Sequence, residues 1–167
     1  MNKKEAFFIK RTAAHIETVN YFAGLMGANF PLHDQSKYNP PERDAYILLS
    51  WAWANQGVAL SKSEKLATKD AIQHHYAKND HHPEHYNGNL DNMQWHHFIE
   101  MVCDWFAVGM EKTFSNDAIK FSAEEFYRQK ALPKYKFPEE QQTLILSMIK
   151  EINSKTNLAA VASIWQR

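Results

Sequence analysis

The chain has 167 residues and a mass of 19.5 kDa, the size of one ordinary domain with enough length to bury a core. Its 19 basic and 19 acidic side chains give a formal net charge of zero. A neutral chain without a lysine and arginine block lacks the field that holds a nucleic-acid backbone, so we expect no polymeric nucleic acid as partner. The neutral charge does not exclude a small anionic ligand.

The location of the protein is predicted from its cysteine content and its apolar segments. Cys103 is the single cysteine, so the chain has no internal disulfide and no cysteine-based zinc motif, as is common in a reducing compartment. Residues 1–15 place charges among the apolar residues and lack the apolar core of a signal peptide. No run reaches the length of a membrane span. We therefore expect a soluble, cytoplasmic protein.

Scarce glycine and the absence of β-branched runs predict an all-α fold. Pro40 and Pro41 are expected to start the second helix, since the first turn tolerates a missing N–H, and Gly57 to close it. A turn-rich segment with Pro83 and Gly88 is interpreted as an ordered loop. The expected caps are Ser61 or Ser63 for the third helix and Asp91 or Asn92 for the fourth. The first helix ends near Gly27, and the others cover about residues 42–56, 61–78, 93–112, 117–130 and 138–153.

The chain has no repeat, low-complexity tract or linker, which predicts one domain over residues 1–167. Its candidate metal-site core covers about residues 11–108. The helices of residues 116–167 are expected to pack on that core. Whether the chain pairs with itself is left open by the sequence.

Histidine is concentrated in one short stretch. Residues 74–86 read HHYAKNDHHPEHY and hold five of the nine histidines. A second signal is Asp104, which lies between Cys103 and Trp105 in an apolar helix. A buried carboxylate without a partner is costly, and imidazoles with a metal ion would compensate it. The candidate metal ligands are His15, His33, Asp34, His75, His81, His82 and Asp104.

Neutral imidazoles and carboxylates without thiolates suit Fe, Mn, Zn, Co or Ni. In an adjacent His33-Asp34 pair, the imidazole can bind one ion while the carboxylate bridges to a second. We therefore expect one or two divalent transition metals. Two cations about 3.5–4 Å apart would clamp a phosphoryl group and activate a bridging water.

The order of these residues carries a family resemblance. His15, the HD pair at His33-Asp34 and the later Asp104 resemble the H…HD…D signature of the HD-domain metal-dependent phosphohydrolases, an all-α superfamily. The HHPEHYNG stretch, residues 81–88, is similar to the HHE…DG stretch of the HD-GYP phosphodiesterases, in which both histidines of the pair bind metal. Ser36 replaces the glycine of the HDxGK variant. The likeness covers roughly residues 11 to 108.

The resemblance implies a single-domain HD-type helical bundle with a binuclear centre that hydrolyses a small phosphorylated substrate, a nucleotide being the first expectation. The GYP element is missing, since Asn89 and Leu90 follow Gly88, so cyclic dinucleotide cleavage is not implied. The chain also resembles short phage and bacterial proteins that contain HDxSK and HHPEH and have no assigned activity. Two rival functions stay open: a di-iron oxygenase with the same ligands, and a non-catalytic metal-binding or nucleotide-binding protein such as a phage effector.

Charged residues beside the candidate ligands suggest further roles. Asp34 is expected to be catalytic as the bridging ligand, and Lys37 to contact a phosphoryl oxygen. Arg11, one turn before His15, is a second candidate for binding the substrate. His74 competes with His75 for one ligand position and is assigned an outer role. Glu100 shares a helical face with Asp104 and is expected to orient a ligand imidazole through its N–H.

Overall fold

The computed structural model describes residues 1–55, 58–116 and 120–166. Within these ranges the fold is all-α and contains no strand, which confirms the predicted fold class as one helical bundle. No helix in the described ranges combines the length and apolarity that crossing a membrane requires. The helices are α1 (Lys3–Leu25), α2 (Arg43–Ala54), α3 (Lys62–Lys78), α4 (Trp95–Ser115), α5 (Ala123–Phe126), α6 (Glu139–Lys155) and α7 (Leu158–Gln166).

The boundaries of the first three helices follow from local side chains. Asn2 caps α1 by accepting a hydrogen bond from the Glu5 N–H at 2.9 Å. At α3 the predicted cap is Ser61, which forms a reciprocal capping box with Glu64. The second helix begins at Arg43, so the two prolines lie before its first turn instead of within it. Its expected closing residue, at position 57, lies outside the described residues.

The prediction that Asp91 or Asn92 caps the fourth helix is wrong. Both residues belong to the short 3-10 turn Leu90–Asn92, and α4 begins later, at Trp95. Asp91 instead accepts a hydrogen bond from Lys136 at 3.2 Å, a contact from a distant segment that local propensity does not reveal. The predicted ordered loop before α4 also contains a second 3-10 turn, Pro83–Tyr86.

The fifth helix is shorter than predicted and begins later. Residues 117–119 of the expected range lie outside the described residues, and α5 starts at Ala123 because Ser122 caps it through the Glu125 N–H. The helix continues as a π-helical turn to Ala131. Phe121, just before the cap, packs directly on Gly109, where an added Cβ would come within 2.1 Å of the ring. That close approach holds the segment against α4.

Two apolar clusters position the site. The larger one joins α1, α4, α6 and α7 through fully buried residues such as Phe22, Val102 and Ile152. The smaller one packs Phe8 of α1 on α2 and includes Tyr46. The C-terminal helices α6 and α7 contact α1 and α4. The histidines lie among the first four helices and the turns that connect them.

Candidate metal centre

The structure brings the seven candidate ligands together, although the last of them, Asp104, comes 89 positions after the first, His15. His15 comes from the middle of α1 and Asp104 from α4, while His75 lies in the last turn of α3. The other four lie in the turns between these helices. Five of the seven are almost completely buried, with only 1% to 7% of each residue exposed: His15, His33, Asp34, His75 and His81.

Asp34 occupies a strained backbone position at the centre of the group. Its φ angle is 58°, in the left-handed region, directly before the 3-10 turn Gln35–Tyr38. That conformation costs an L residue roughly 1–2 kcal/mol, and aspartate is among the residues that tolerate it best. Such strain concentrates at functional sites, where other contacts hold it in place.

One cluster of possible ligand atoms forms around Asp34 Oδ2. His15 Nε2 lies 3.3 Å from Asp34 Oδ2, 3.2 Å from His33 Nε2 and 3.1 Å from Asp104 Oδ1. Nitrogen and oxygen ligands bind such metals at about 2.0–2.2 Å, so neighbouring ligands of one ion stand roughly 3.0–3.5 Å apart. The distances from His15 fit a single coordination sphere, and His33 Nε2 lies slightly farther from the two carboxylates, at 3.6 Å from Asp34 Oδ2 and 3.8 Å from Asp104 Oδ1. We call these four atoms the first cluster.

A second cluster forms around the other oxygen of Asp34. Asp34 Oδ1 lies 3.1 Å from His75 Nε2 and 3.9 Å from His81 Nε2, and His82 completes a group whose ligand atoms all lie within 4.8 Å of one another. Among the described residues, these four buried atoms have no hydrogen-bond partner of good geometry. An unsatisfied buried polar atom costs about 1–3 kcal/mol, and a cation held among the four could satisfy them all. This group is the second cluster.

The two clusters share Asp34, which presents Oδ2 to the first and Oδ1 to the second. The arrangement places a carboxylate bridge between two positions that could each hold a metal ion. The sequence predicts a bridging role for this carboxylate of the HD pair, and that role stays a prediction. Nothing in it identifies the metal.

Glu100 orients one imidazole of each cluster. Its Oε1 lies 2.8 Å from His33 Nδ1 and 3.4 Å from His81 Nδ1. When these Nδ1 atoms carry the proton, both Nε2 atoms are left as acceptors for metal. Burial by itself would raise the pKa of Glu100, but its hydrogen bonds with the two histidines outweigh burial and lower the pKa to about 2. Glu100 thus lies where the sequence predicts an orienting carboxylate.

Glu42 is a second orienting carboxylate, and sequence reasoning missed it. It is fully buried, and its two oxygens lie 2.8 Å from His74 Nδ1 and 2.8 Å from His75 Nδ1. Ser36 also donates a hydrogen bond to it at 2.9 Å. An acidic residue directly after two prolines is ordinary at a helix start, so the sequence holds no signal for this role. Only the packing of α2 against α3 reveals it.

Glu42 also separates the roles of the two adjacent histidines. His75 gives Nδ1 to Glu42 and turns Nε2 towards Asp34, as a metal ligand would. The side chain of His74 is 34% exposed and contacts Glu42 from outside. The structure therefore places His75 in the second cluster and His74 in the outer position that the sequence assigned to it.

Protonation differs between the two clusters. Burial alone would lower the pKa of His15, but the carboxylates of Asp104 and Asp34 outweigh burial and raise the pKa to about 9. Burial, together with the neighbouring His81, holds the pKa of His82 well below its ordinary value. Without metal, His15 therefore carries a proton between the two carboxylates of the first cluster. His82 is instead neutral, and its lone pair is free to bind a metal ion.

A cavity of about 840 Å³ opens onto the centre. Lys37 lies at its floor, where the ammonium donates a hydrogen bond to Asp34 Oδ2 and sits 5.1 Å above the Tyr46 ring. Arg11 lines the same cavity, but its guanidinium forms a two-pronged ion pair with Glu111, so its charge is already matched within the protein. The candidate ligands that line the cavity are His15, Asp34, His75, His82 and Asp104.

Comparison with known proteins adds a family but no activity. A family model described as a family of unknown function, DUF5662, matches residues 4–151. The chain belongs to this family. The matched range of DUF5662 includes all seven candidate ligands and both orienting carboxylates. No curated protein and no solved structure matched the chain.

Proposed function

We propose that this DUF5662 chain is a metal-dependent phosphohydrolase with a binuclear centre, acting on a small phosphate ester or phosphoanhydride, a nucleotide first. The observation that carries the proposal is the carboxylate of Asp34, shared by two clusters of donor atoms at the floor of a cavity. Two metal sites that share a bridging carboxylate, with the ions about 3.5–4 Å apart, are an arrangement that phosphatases and nucleases use. The HD resemblance of the sequence points the same way.

The side chains would divide the work as follows. His15, His33 and Asp104 would hold one ion, and His75, His81 and His82 the other, with Asp34 common to both. This donor set of imidazoles and carboxylates suits Fe, Mn, Zn, Co or Ni. Such a pair of ions supplies Lewis acidity to a phosphoryl group and to the attacking water.

Lys37 would neutralise a non-bridging oxygen of the phosphoryl group. It lines the cavity beside Asp34, so a phosphate bound at the centre lies within reach of its ammonium. The ring of Tyr46 beneath it supports the cation. Burial raises the pKa of Tyr46, as do the carboxylates of Asp34 and Glu42, so the phenol stays neutral and adds no negative charge beside Lys37. The ammonium is paired with Asp34 and would share its charge with a bound phosphoryl group.

A small phosphorylated substrate is the partner in this proposal, and polymeric nucleic acid is not. The neutral net charge supports that choice. The proposal also places the protein in the cytoplasm, since the single cysteine, Cys103, is buried and forms no disulfide.

The test is phosphate release from a panel of nucleoside mono-, di- and triphosphates and simple esters by metal-loaded protein. We expect turnover by the wild type, loss of turnover in Asp34→Asn, and wild-type rates in the control Asp44→Asn, whose side chain is 95% exposed. No phosphate release from any compound would overturn the hydrolase proposal. Consumption of O₂ by reduced protein with an organic substrate would then favour the oxygenase, and tight binding without turnover the non-catalytic rival.

A further inference from the structure

The cavity runs outward from the centre between α1 and α4. Arg11 and Phe7 precede His15 by one and two turns of α1, which places them about 6 and 12 Å from its level along the helix axis. On α4, Glu111 follows Asp104 by two turns, about 10 Å away. The part of a substrate that extends beyond the reacting phosphoryl group therefore meets Arg11, Glu111 and Phe7.

The charge at this level of the cavity is balanced. Arg11 Nη2 lies 2.8 Å from Glu111 Oε2, a second contact joins Nε to Oε1, and Ser50 accepts a further hydrogen bond at 3.3 Å. The pair is mostly buried, with side chains 23% and 16% exposed. A second phosphate group at this position would lie beside the Arg11–Glu111 ion pair. Because the Glu111 carboxylate already balances the charge of Arg11, the pair would attract that phosphate only weakly.

Aromatic rings form much of the wall at the same level. Trp53 is 55% exposed, and the Arg11 guanidinium lies 5.2 Å from its ring centre. Phe7, Ile72 and Val108 add apolar surface to the lining. A ring held here would bury apolar area and also gain attraction from the neighbouring aromatic rings, beyond the effect of burial alone.

We infer that the substrate is a phosphomonoester whose leaving group carries an aromatic ring, and that the cavity selects against di- and triphosphates. The inference rests on the proposed function. In the reaction, water adds to phosphorus, the ester P–O bond breaks, and the alcohol leaves with a proton while inorganic phosphate is released. The phosphoryl group occupies the floor beside Lys37, and the ring lies against Trp53.

The binding of two non-hydrolysable probes tests whether an aromatic ring on the ligand strengthens binding, and it does so without relying on turnover. Calorimetry on Mn²⁺-loaded protein would compare 3-phenylpropylphosphonate with propylphosphonate, which differ by the ring alone. We expect the ring to tighten binding about ten-fold. Trp53→Ala should reduce that ratio to about two-fold or less. The control Trp95→Ala removes a similarly exposed indole at the far end of α4 and should keep the ratio. Equal binding of the two probes by the wild type would overturn the inference.

A gain-of-function variant tests the charge argument. Glu111→Gln removes the carboxylate and leaves the Arg11 charge unmatched, so methylenediphosphonate, measured with free Mn²⁺ in fixed excess, should bind about five-fold tighter. The control Glu124→Gln alters a surface pair with Arg128 and should change nothing. Wild-type protein that binds methylenediphosphonate more tightly than 3-phenylpropylphosphonate would contradict the inference. Selective binding without hydrolysis of the matching esters would instead leave the selectivity in place and defeat the hydrolase proposal.

Discussion

Asp34 Oδ1 and His75 Nε2 lie 3.1 Å apart inside the protein, an ion-pair contact in which neither atom has a well-aligned hydrogen-bond partner among the described residues. Each atom points at the same space, and each residue is held there by its other end. His75 is fixed through Nδ1 by Glu42, and Asp34 is fixed at Oδ2 by Lys37. Two buried polar atoms held in this way belong to a group of side chains that could hold a metal ion.

The two orienting carboxylates should have different effects on metal binding. Among the candidate ligands, Glu42 contacts His75 alone, so Glu42→Gln should weaken binding at the second cluster about 10–100-fold and spare the first. Glu100→Gln loosens His33 and His81, one in each cluster, and should weaken both. Titration of metal-free protein with Zn²⁺ by calorimetry would separate the two sites.

Glu140→Gln, on the exposed first turn of α6, is the matched control and should bind as wild type does. If Glu42→Gln and Glu100→Gln weaken the same single site, the assignment of one carboxylate to both clusters is wrong.

The metal-free protein should lose stability as the pH rises from neutral to alkaline. The pKa of His15 is about 9 when folded, as its contacts with Asp104 and Asp34 overcome burial, against about 6.5 when unfolded. A raised pKa stabilises the fold fully below about pH 6.5, and this contribution disappears as the pH rises through 9. The shift corresponds to about 3 kcal/mol as an order of magnitude. Thermal unfolding of chelated protein between pH 6 and 10 measures it.

His15→Gln should flatten that pH dependence, while His96→Gln, at the exposed start of α4, should preserve it. Metal binding at the first cluster should displace the same proton, since ligand imidazoles bind as neutral groups. Calorimetry in buffers of different ionisation enthalpy would detect the proton that is released. An unchanged slope in His15→Gln would show that the proton resides elsewhere.

Lys37 should matter for turnover and not for metal content. Lys37→Ala removes a cation that matches charge on the phosphoryl oxygens in the transition state, so kcat/KM should fall roughly 10²–10³-fold with both metals retained. Lys37→Arg should rescue in part, because a planar guanidinium does not reproduce a compact ammonium. Steady-state kinetics with metal analysis of the same samples gives both readouts. Full activity in Lys37→Ala would remove this residue from the mechanism.

Adjacent pairs made several of the candidate ligands recognisable from sequence. The dipeptides His33-Asp34 and His81-His82 indicate a metal site because two donors in sequence are necessarily close in space. Asp104 stood out since a carboxylate in an apolar helix needs a partner. The choice between His74 and His75 was open because adjacent helical residues point about 100° apart, and only the packing of neighbouring helices decides which one faces inward.

The missed features depend on contacts between distant segments. Glu42 looks like an ordinary helix-start acid until α2 packs against α3. Likewise, Arg11 looks like a free phosphate ligand until Glu111, one hundred residues later, pairs with it. The segment before α5 is likewise held against α4 by the contact of Phe121 with Gly109. Local patterns predict which residues are chemically unusual, whereas tertiary packing decides which of them meet.

Metal content is the measurement that tests the central claim most directly. Protein purified without chelator and loaded with Mn²⁺, Fe²⁺ or Zn²⁺ should hold up to two ions per chain by elemental analysis. Asp34→Ala should lose more metal than His15→Ala or His82→Ala, because its carboxylate serves both clusters while each histidine serves one. A loaded wild-type chain without bound metal, or Asp34→Ala at full occupancy, would contradict the binuclear centre.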